Sequence, residues 1–426
     1  MFDPALYERQ VLRTSRRRLA LPGARLRLAT LLRTGGPGIV VAVAYVDPGN
    51  FATNVQAGAL LGSRLLWVVL LASAVAMLVQ YLAAKAGAVT GRSLPELCRD
   101  AYPRPVTYAL WGAAEIVAMA TDFVEIVGGA IALYLLLGVP LPIGGALVGL
   151  AGTLLLLLRG RRGGFQAAVA ALLAGVVGAF LFSAWRVGVG SPGELAGGLV
   201  PGFGDSDGLL LATGIVGATI MPHAVYVHSA LTGEQRRRRL RDCNTATLRA
   251  HRLDIGVALG VATLTNAAIL LVAANALHVP GAVTAVDTLE GAYAGLRAAS
   301  PAVGLAFVLA LLVAGLAASC VGTYAGDVVM QGFLRRRVPV LVRRTVTLAP
   351  ALALLCTGAE PTKLLLLSQV VLSVGLPAAL VPLVHLTAKR SVMGEHVNRR
   401  GTTWAAGLAC AAVCLLNGLV LASALG

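Results

Sequence analysis

Two apolar segments of the chain are each interrupted by a short polar break that contains a proline. The first break is the Asp-Pro-Gly-Asn sequence at 47–50, and the second is the Met-Pro-His sequence at 221–223. Because proline lacks a backbone N–H and clashes with the preceding turn, a helix unwinds at such a position. Inside a bilayer, unwound backbone is tolerated only where protein covers it or where it lines a cavity. Paired breaks of this kind indicate a binding site between two discontinuous helices.

The composition places both breaks inside a membrane protein. Only 13% of the 426 residues are charged and 57% are hydrophobic, whereas about 25% of the residues of a soluble domain are charged. A helix needs ~20 apolar residues to cross ~30 Å of hydrocarbon. Eleven spans are predicted, of which the fourth and the ninth are short: 36–61, 65–90, 105–137, 141–158, 165–187, 208–231, 251–276, 301–331, 339–356, 364–387 and 402–424.

Basic residues predict the orientation of these spans. Four of them are assigned to one side of the membrane, namely Arg64, Arg186, Arg297 and Lys363. The other 31 of the 35, including the pair Arg343 and Arg344, are assigned to the opposite side. The positive-inside rule therefore makes the N-terminus cytoplasmic, and eleven spans put the C-terminus outside.

The same basic residues bear on the partners and the source of the protein. Contact with the lipid bilayer and its anionic headgroups explains the arginine runs. A nucleic-acid partner is not expected, because aromatic residues are not interleaved with these runs. The preference for Arg over Lys favours a GC-rich bacterial source, and hence a location in the bacterial inner membrane.

The spacing of the breaks predicts the architecture. They lie in the first and sixth spans, so an odd number of spans separates them and the second set is inverted relative to the first. We expect an all-α protein with a basic cytoplasmic arm at 1–35, one five-helix repeat at 36–187, a second at 208–387 and an extra helix at 402–424. Inverted repeats with discontinuous helices are typical of secondary transporters, which bind substrate near the midplane.

The side chains at the breaks form a candidate metal site. Asp47 and Asn50 would supply a carboxylate and an amide oxygen, and the breaks would free backbone carbonyl groups. A charged Asp at bilayer depth costs about 2.5–3.5 kcal/mol, so a function is expected. Alternatively, Asp47 could cap the following half-helix and Asn50 could satisfy local backbone. Met221 alone would suggest packing, but opposite Asp47 its soft thioether favours Mn²⁺, Fe²⁺ and Cd²⁺ over Mg²⁺ and Ca²⁺.

The third span carries a stripe of acids. Glu115, Asp122 and Glu125 fall on one face of a helix. Such a face cannot be exposed to lipid, and chains of Asp, Glu and His at membrane depth are typical of proton relays. The alternative is a hydrogen-bonded network that only holds helices together. His223 could join the relay, whereas a structural role is expected for His228.

The remaining polar residues and motifs carry less information. Gln369 and Asn266 could line a pathway or form hydrogen bonds between helices, and the second is favoured. Asp254 and Asp327 lie near cytoplasmic helix ends, where capping or an arginine partner is expected. The sequence contains no HExxH or P-loop pattern, so an enzyme is not expected. The six cysteines show no CxxC spacing, and neither a disulfide framework nor a resident cofactor is predicted.

Three stretches of the sequence resemble one family. They are Tyr-Val-Asp-Pro-Gly-Asn-Phe-Ala-Thr-Asn at 45–54, Gly-Ala-Thr-Ile-Met-Pro-His at 217–223 and Met-Ala-Thr-Asp-Phe-Val-Glu at 119–125. Together they resemble the natural resistance-associated macrophage protein (Nramp) family of divalent-metal transporters, from about residue 36 to the final helix. Many family members have Asn after the second motif, where this chain has Ala224; little consequence is expected, because that side chain is not a ligand.

The resemblance implies a leucine-transporter-like fold and proton-coupled import of Mn²⁺ or Fe²⁺, and we expect a monomer. The implied metal ligands are Asp47, Asn50, Met221 and the Ala218 carbonyl, with the Ala44 carbonyl in some conformations and Gln369 when the site is occluded. The resemblance also implies that Asp122 accepts or passes the proton. The implied polar route to the cytoplasm is lined by Glu125, His223, Glu115 and Arg344, with Arg343 nearby, and Asn266 matches a polar position of the seventh span.

Other functions stay open at this point. One is a magnesium transporter on the same fold, although the related magnesium-transporting branch lacks the methionine that this chain keeps at Met221. Another is a non-transporting metal sensor or a metal-dependent membrane enzyme, which would bind metal without flux across a sealed bilayer. An organic-substrate symporter is disfavoured, because a substrate carboxylate would require half-helix amides rather than an Asp and a Met.

Overall fold

The computed structural model describes residues 36–157, 164–204, 206–239, 243–278 and 288–425. The predicted basic arm at 1–35 lies outside these residues. All regular secondary structure in the described ranges is helical, which confirms the predicted all-α class. The division into two inverted repeats stays a prediction.

The helices alternate between long membrane-length elements and short connecting ones. In chain order they are α1 Pro37–Ala44, α2 Pro48–Leu61, α3 Leu66–Thr90, α4 Leu94–Ala101, α5 Arg104–Leu137, α6 Leu141–Leu157, α7 Gly164–Val187, α8 Pro192–Gly198, α9 Ser206–Thr219, α10 Pro222–Arg239, α11 Thr245–Leu277, α12 Leu289–Ala299, α13 Pro301–Leu334, α14 Val340–Cys356, α15 Pro361–Ala388, α16 Arg390–Met393 and α17 Arg400–Leu425. A 3₁₀ turn, Gly394–His396, follows α16.

Eight segments of the described chain are long and apolar enough to cross a membrane. They are α3, α5, α7, the α9–α10 pair, α11, α13, α15 and α17. The other three predicted spans correspond to the α1–α2 pair and to the shorter helices α6 and α14. A total of eleven spans therefore stays a prediction. Helix α11 begins at Thr245, before the apolar stretch, because a helix continues past the hydrocarbon into the polar region.

Both predicted breaks are confirmed. Helix α1 ends at Ala44 and α2 begins at Pro48, while α9 ends at Thr219 and α10 begins at Pro222. In each pair proline is the first residue of the second half-helix, where its missing N–H costs nothing and its fixed φ suits the helix. The two breaks therefore divide two spans into four short half-helices.

The half-helices are buried by long helices around them. Helix α11 packs along α2, α10 packs along α3, α15 packs along α9, and α13 packs along α5. Small residues allow these close contacts. At Gly315 of α13, for example, an added Cβ would lie 3.0 Å from the backbone N of Gly129 in α5. Close backbone packing of this kind is typical of membrane helices.

Three short helices outside the predicted spans begin with hydroxyl caps. Ser93 caps α4, Ser191 caps α8 and Thr288 caps α12. The first two form capping boxes with glutamates three residues on, a local pattern that the hydropathy analysis passed over. Helix α12 is joined to α15, because the backbone N of Leu289 donates to Thr362 Oγ1 at 3.1 Å.

The first half-helix is held at its N-terminus by another helix. The backbone N of Gly38 donates to Oδ2 of Asp254 in α11 at 2.9 Å. The carboxylate also lies at the positive end of the α1 dipole, which stabilises the negative charge. The capping role expected for Asp254 is confirmed, although the helix that it caps is α1 rather than its own.

We predict that Asp254→Ala destabilises the protein by about 1 kcal/mol, because it removes the acceptor for a buried helix N-terminus. Asp254→Asn is the matched control, since its amide oxygen still accepts the bond. Thermal unfolding in detergent measures both. Equal unfolding temperatures for Asp254→Ala and the wild type would show that the cap does not stabilise the fold.

Candidate functional site

Asp47, in the first break, caps the half-helix that follows it. Asp47 has extended backbone geometry and caps α2, since Oδ1 accepts from both the backbone N and the side-chain Nδ2 of Asn50, each at 2.8 Å. The other carboxylate oxygen, Oδ2, is buried and has no hydrogen-bond partner within the described part of the chain. Capping therefore uses one oxygen of Asp47 and leaves the second one available to a ligand.

Asn50 joins the two breaks. Its Nδ2 also donates to the backbone carbonyl of Ala218 in α9, at 3.0 Å. Its Oδ1 is buried and finds no hydrogen-bond donor among the residues described. Because both bonds use the amide nitrogen, the oxygen remains an acceptor. Asp47, Asn50 and the Ala218 carbonyl are thus brought together as the sequence predicted.

Met221 lies in the second break, between α9 and α10. It is fully buried and belongs to the same apolar cluster as Tyr45 and Val46 of the first break. Ala44, the last residue of α1, is also in this cluster. In the described ranges no three His, Cys, Asp or Glu side chains are grouped to hold a metal ion. A metal at the breaks would therefore depend on a mixed set of carboxylate, amide, carbonyl and thioether donors.

Gln369 of α15 lies against both breaks. Its side-chain amide packs on Gly49 of α2, and its backbone carbonyl packs on Gly217 of α9. Neither Oε1 nor Nε2 of this buried side chain has a hydrogen-bond partner in the ranges that the structure covers. The position agrees with the expectation that Gln369 approaches the site when it is occluded.

The site is closed to both sides. Asp47 is 1% exposed, and Asn50, Met221 and Gln369 are each 0% exposed. Polar atoms that are buried without partners cost free energy unless something binds them. A conformation that encloses such atoms between two broken helices is an occluded one.

The acids of the third span pair with two adjacent arginines of α14. Arg344 Nη1 donates to Asp122 Oδ1 at 2.7 Å, and Arg343 makes a bidentate pair with Glu115 at 3.0 and 3.3 Å. Arg344 also donates to Ser319 of α13. Glu115 and Asp122 lie about 10.5 Å apart along one face of α5, whereas adjacent arginines rise only about 1.5 Å along α14, so the long arginine side chains span the difference.

These pairs add to the count of basic residues. Arg343 and Arg344 were assigned to the basic side of the membrane, and they are buried, at 8% and 3% exposed, and bound to acids. The side assigned to them stays a prediction. Arg pairs inside an apolar span, with acids in another span, were the signal that could have predicted this pairing.

Glu125 is the most buried of the three acids on α5, at 1% exposed. It is buried, and both carboxylate oxygens lack a hydrogen-bond partner among the described side chains and backbone. Gly322 of α13 faces it, and an added Cβ there would lie 2.7 Å from each oxygen. Three residues further along α5, Gly128 packs against Pro48 of the first break. Glu125 is thus placed along α5 between the first break and the Asp122–Arg344 pair.

His223 connects the second break to α5. Its Nδ1 lies 3.2 Å from Thr121 Oγ1, and the single Thr121 hydroxyl hydrogen is donated to the Val117 carbonyl at 3.0 Å. While the Thr121 hydroxyl donates to the Val117 carbonyl, His223 Nδ1 carries the hydrogen of the His–Thr bond. Its Nε2 is buried and has no hydrogen-bond partner in the described ranges.

Asn266 has the structural role that was favoured for it. Its Nδ2 donates to the Tyr45 carbonyl, which the first break frees, at 2.8 Å. Its Oδ1 lies 3.4 Å from Nδ2 of Asn54, a residue of α2 that the sequence analysis missed. His228 is also bound as expected, since Nδ1 lies 2.9 Å from Gln80 Oε1 and Gln80 donates to the Tyr45 hydroxyl at 2.8 Å.

Comparisons with known proteins agree with this arrangement. The family model "Natural resistance-associated macrophage protein-like" matches residues 38–423. The divalent metal cation transporter MntH of Mycobacterium tuberculosis strain H37Rv is 47% identical over 91% of this chain and 90% of its own length. The protein of the same name from Burkholderia ambifaria is 44% identical over 94% of this chain and 91% of its own length.

Solved structures show the same fold. The Eremococcus coleocola manganese transporter superposes with a TM-score of 0.83 at 31% identity, covering 95% of this chain and 89% of that one. MHP1, a nucleobase-cation-symport-1 family transporter, has a TM-score of 0.57 at 14% identity over 82% of this chain and 77% of that one, which shows the fold alone. The predicted leucine-transporter-like fold is thereby confirmed.

The resemblance drawn from three short stretches is confirmed over nearly the whole chain, since the family model matches residues 38–423. The relatives are named as transporters, so the prediction that this chain is not an enzyme is confirmed. The chain belongs to the natural resistance-associated macrophage protein family of membrane proteins.

Proposed function

We propose that the protein imports divalent transition metals, Mn²⁺ or Fe²⁺ and also Cd²⁺, by alternating access. The observation that carries this proposal is the pair of buried acceptors, Asp47 Oδ2 and Asn50 Oδ1, next to the Ala218 carbonyl, with Met221 buried three residues further along the second break. The Asp47 carboxylate would offset part of the charge of the metal ion, and the Asn50 amide oxygen and the Ala218 carbonyl oxygen would replace water molecules of its hydration shell. Relatives named as divalent metal cation transporters and as a manganese transporter support this assignment.

Selectivity would come from the thioether of Met221. Mg²⁺ and Ca²⁺ prefer shells made only of oxygen, and Mg²⁺ dehydrates reluctantly. Thioether sulfur is a soft ligand and favours later transition metals. A buried site with one sulfur in place of an oxygen therefore penalises Mg²⁺ and Ca²⁺ more than it penalises Mn²⁺ or Fe²⁺. The Ala44 carbonyl and Gln369 would complete the shell in different conformations.

The broken helices would supply the motion. An unwound segment can bend without breaking a continuous ladder of hydrogen bonds, so α1 and α10 can move apart from α2 and α9. The occluded conformation is the intermediate between openings to the two sides. The membrane potential would favour inward movement of the cation, by about 2.3 kcal/mol per charge per 100 mV.

Coupling to protons would use the acids of α5. Asp122 is bound to Arg344, and Glu125 lies along α5 between this pair and the first break. When a metal ion reaches Asp47, its positive charge would lower the proton affinity of nearby carboxyl groups. A proton released there would move along Asp122, His223, Glu115 and the arginines towards the cytoplasm. Asn266 would support this route by fixing the first break.

The proposed setting is the inner membrane of a bacterium, with the N-terminus in the cytoplasm and the C-terminus outside. The protein would act as a monomer, with lipid, metal ions and protons as its only partners and with no resident cofactor. The metal ion is cargo and passes through the site.

We predict that Asp47→Ala abolishes Mn²⁺ uptake by proteoliposomes, because it removes the charged ligand. Met221→Ala should retain uptake but make it about tenfold more sensitive to external Mg²⁺ and Ca²⁺, because it removes the soft ligand; a tenfold change corresponds to about 1.4 kcal/mol of lost discrimination. Met330→Ala is the matched control, because its sulfur accepts from Trp111 Nε1 at 3.4 Å, away from the breaks. Equal Mg²⁺ inhibition of the wild type and Met221→Ala would favour a magnesium transporter, and binding without flux would favour a sensor.

We predict that Asp122→Asn abolishes the stimulation of Mn²⁺ uptake by an inward proton gradient. The amide oxygen can still accept from Arg344, so the helix contact is retained while the proton site is lost. Metal flux and internal acidification, followed together, measure the effect. Glu360→Gln is the control, because Glu360 forms an exposed pair with Lys363. Unchanged acidification in Asp122→Asn would remove this residue from the proton route.

We predict that tags at the two ends of the chain lie on opposite sides of the membrane. In right-side-out vesicles, an added protease should remove a C-terminal tag and spare an N-terminal one, because an odd number of spans separates them. Removal of both tags, or of neither, would contradict eleven spans.

A further inference from the structure

Helix α15 contacts the two discontinuous helices at a glycine in each. At Gly49 an added Cβ would lie closer to Gln369 Nε2 than the 3.0 Å that real Cβ atoms keep from other heavy atoms. At Gly217 an added Cβ would come equally close to the Gln369 backbone carbonyl, and would lie 3.0 Å from the Ser373 Cβ. One residue of α15 thus fills the space that two glycines leave.

We propose that Gly49 and Gly217 are positioning residues for occlusion, because they allow α15 to close across the metal site. This inference rests on the proposed alternating-access transport. The predicted orientation makes α2 and α9 the outer halves of their spans. A methyl group at Gly217 would therefore hold α15 away from α9 on the outer side and keep the site open to the outside, without removing a metal ligand. The role differs from that of Asp47, Asn50 and Met221, which would contact the ion directly.

The two glycines make different kinds of contact. Gly217 faces the backbone of α15, and backbone cannot rotate away from a new side chain. Gly49 faces the end of the Gln369 side chain, which can move. Overpacking at Gly217 should therefore displace the whole helix, whereas overpacking at Gly49 should displace the Gln369 amide from its place across the site and open the outer side to a smaller extent.

Helix α15 cannot shift alone to relieve the contact, because α17 holds it from the other side. Ser373 donates its hydroxyl to Asn417 Oδ1 at 2.7 Å, and Asn417 Nδ2 donates to the Ser373 carbonyl at 2.8 Å. Ser373 lies one turn after Gln369, so these reciprocal bonds fix the part of α15 that meets the breaks. Displacement by a methyl at Gly217 must either break them or move both helices.

The test is the rate at which a membrane-impermeant maleimide labels a single cysteine from outside. The reporter is Thr53→Cys, in a background in which the six native cysteines are replaced. Thr53 is buried in α2, one turn beyond the first break, and faces Gly214 of α9. No metal is added, so the rate reports how often the outer side opens.

In this background, Gly217→Ala should raise the labelling rate about tenfold, the size expected when an overpacked contact shifts a two-state equilibrium. Gly260→Ala is the matched control, because an added Cβ on this residue of α11 meets nothing within 4 Å. Gly217→Ala should also retain Mn²⁺ binding while its maximal uptake rate falls. Equal labelling of the Gly217→Ala and Gly260→Ala proteins would overturn the proposal.

The Gly49 contact gives a second, independent test if Gly217→Ala does not fold. Gly49→Ala should raise labelling, but adding it to Gln369→Ala should change nothing further, because the side chain that it contacts has gone. Labelling of Gly49→Ala at the wild-type rate would overturn the proposal. Wild-type Mn²⁺ flux is measured separately, so a failure of the transport function is distinguished from a failure of the closure mechanism.

Discussion

Every backbone polar group that a helix break frees inside a membrane must find a partner within the protein, and this constraint shapes the centre of the fold. Asp47 accepts a hydrogen bond from the N-terminus of α2. Asn50 donates to the Ala218 carbonyl, and Asn266 donates to the Tyr45 carbonyl. The polar residues that make the breaks tolerable are also those that bring the breaks together. Stability and site geometry therefore depend on the same few bonds.

The alternatives for Asp47 and Asn50 turn out not to exclude one another. Asp47 caps a half-helix with Oδ1, and Asn50 satisfies backbone with Nδ2, as the structural interpretations required. The other atom of each group, an oxygen, stays buried without a partner in the described chain. A side chain with two polar atoms can hold the helix with one and bind a ligand with the other. The proposed metal ligands are thus the two oxygens, Asp47 Oδ2 and Asn50 Oδ1, that the structural hydrogen bonds do not use.

Much of this arrangement was predictable from the sequence, because its causes are local. Proline fixes the positions of both breaks, and hydropathy fixes the long spans. Arginines in one apolar span and acids in another predict that the two pair, but which arginine binds Glu115 and which binds Asp122 depends on how α5 and α14 pack. The contact of Gln369 with both breaks is also tertiary, because it depends on missing side chains at two distant glycines. Helices α4 and α8 had local capping signals, so their omission was an error of interpretation.

The most direct measurement is anomalous diffraction from crystals of the protein grown with Mn²⁺ and, separately, with Cd²⁺. The account predicts one peak for each ion at the breaks, within bonding distance of the Asp47 carboxylate, the Asn50 amide oxygen and the Met221 sulfur. A peak among Asp122, Glu125 and Arg344 instead, or an ion at the breaks that the Met221 sulfur does not contact, would contradict it.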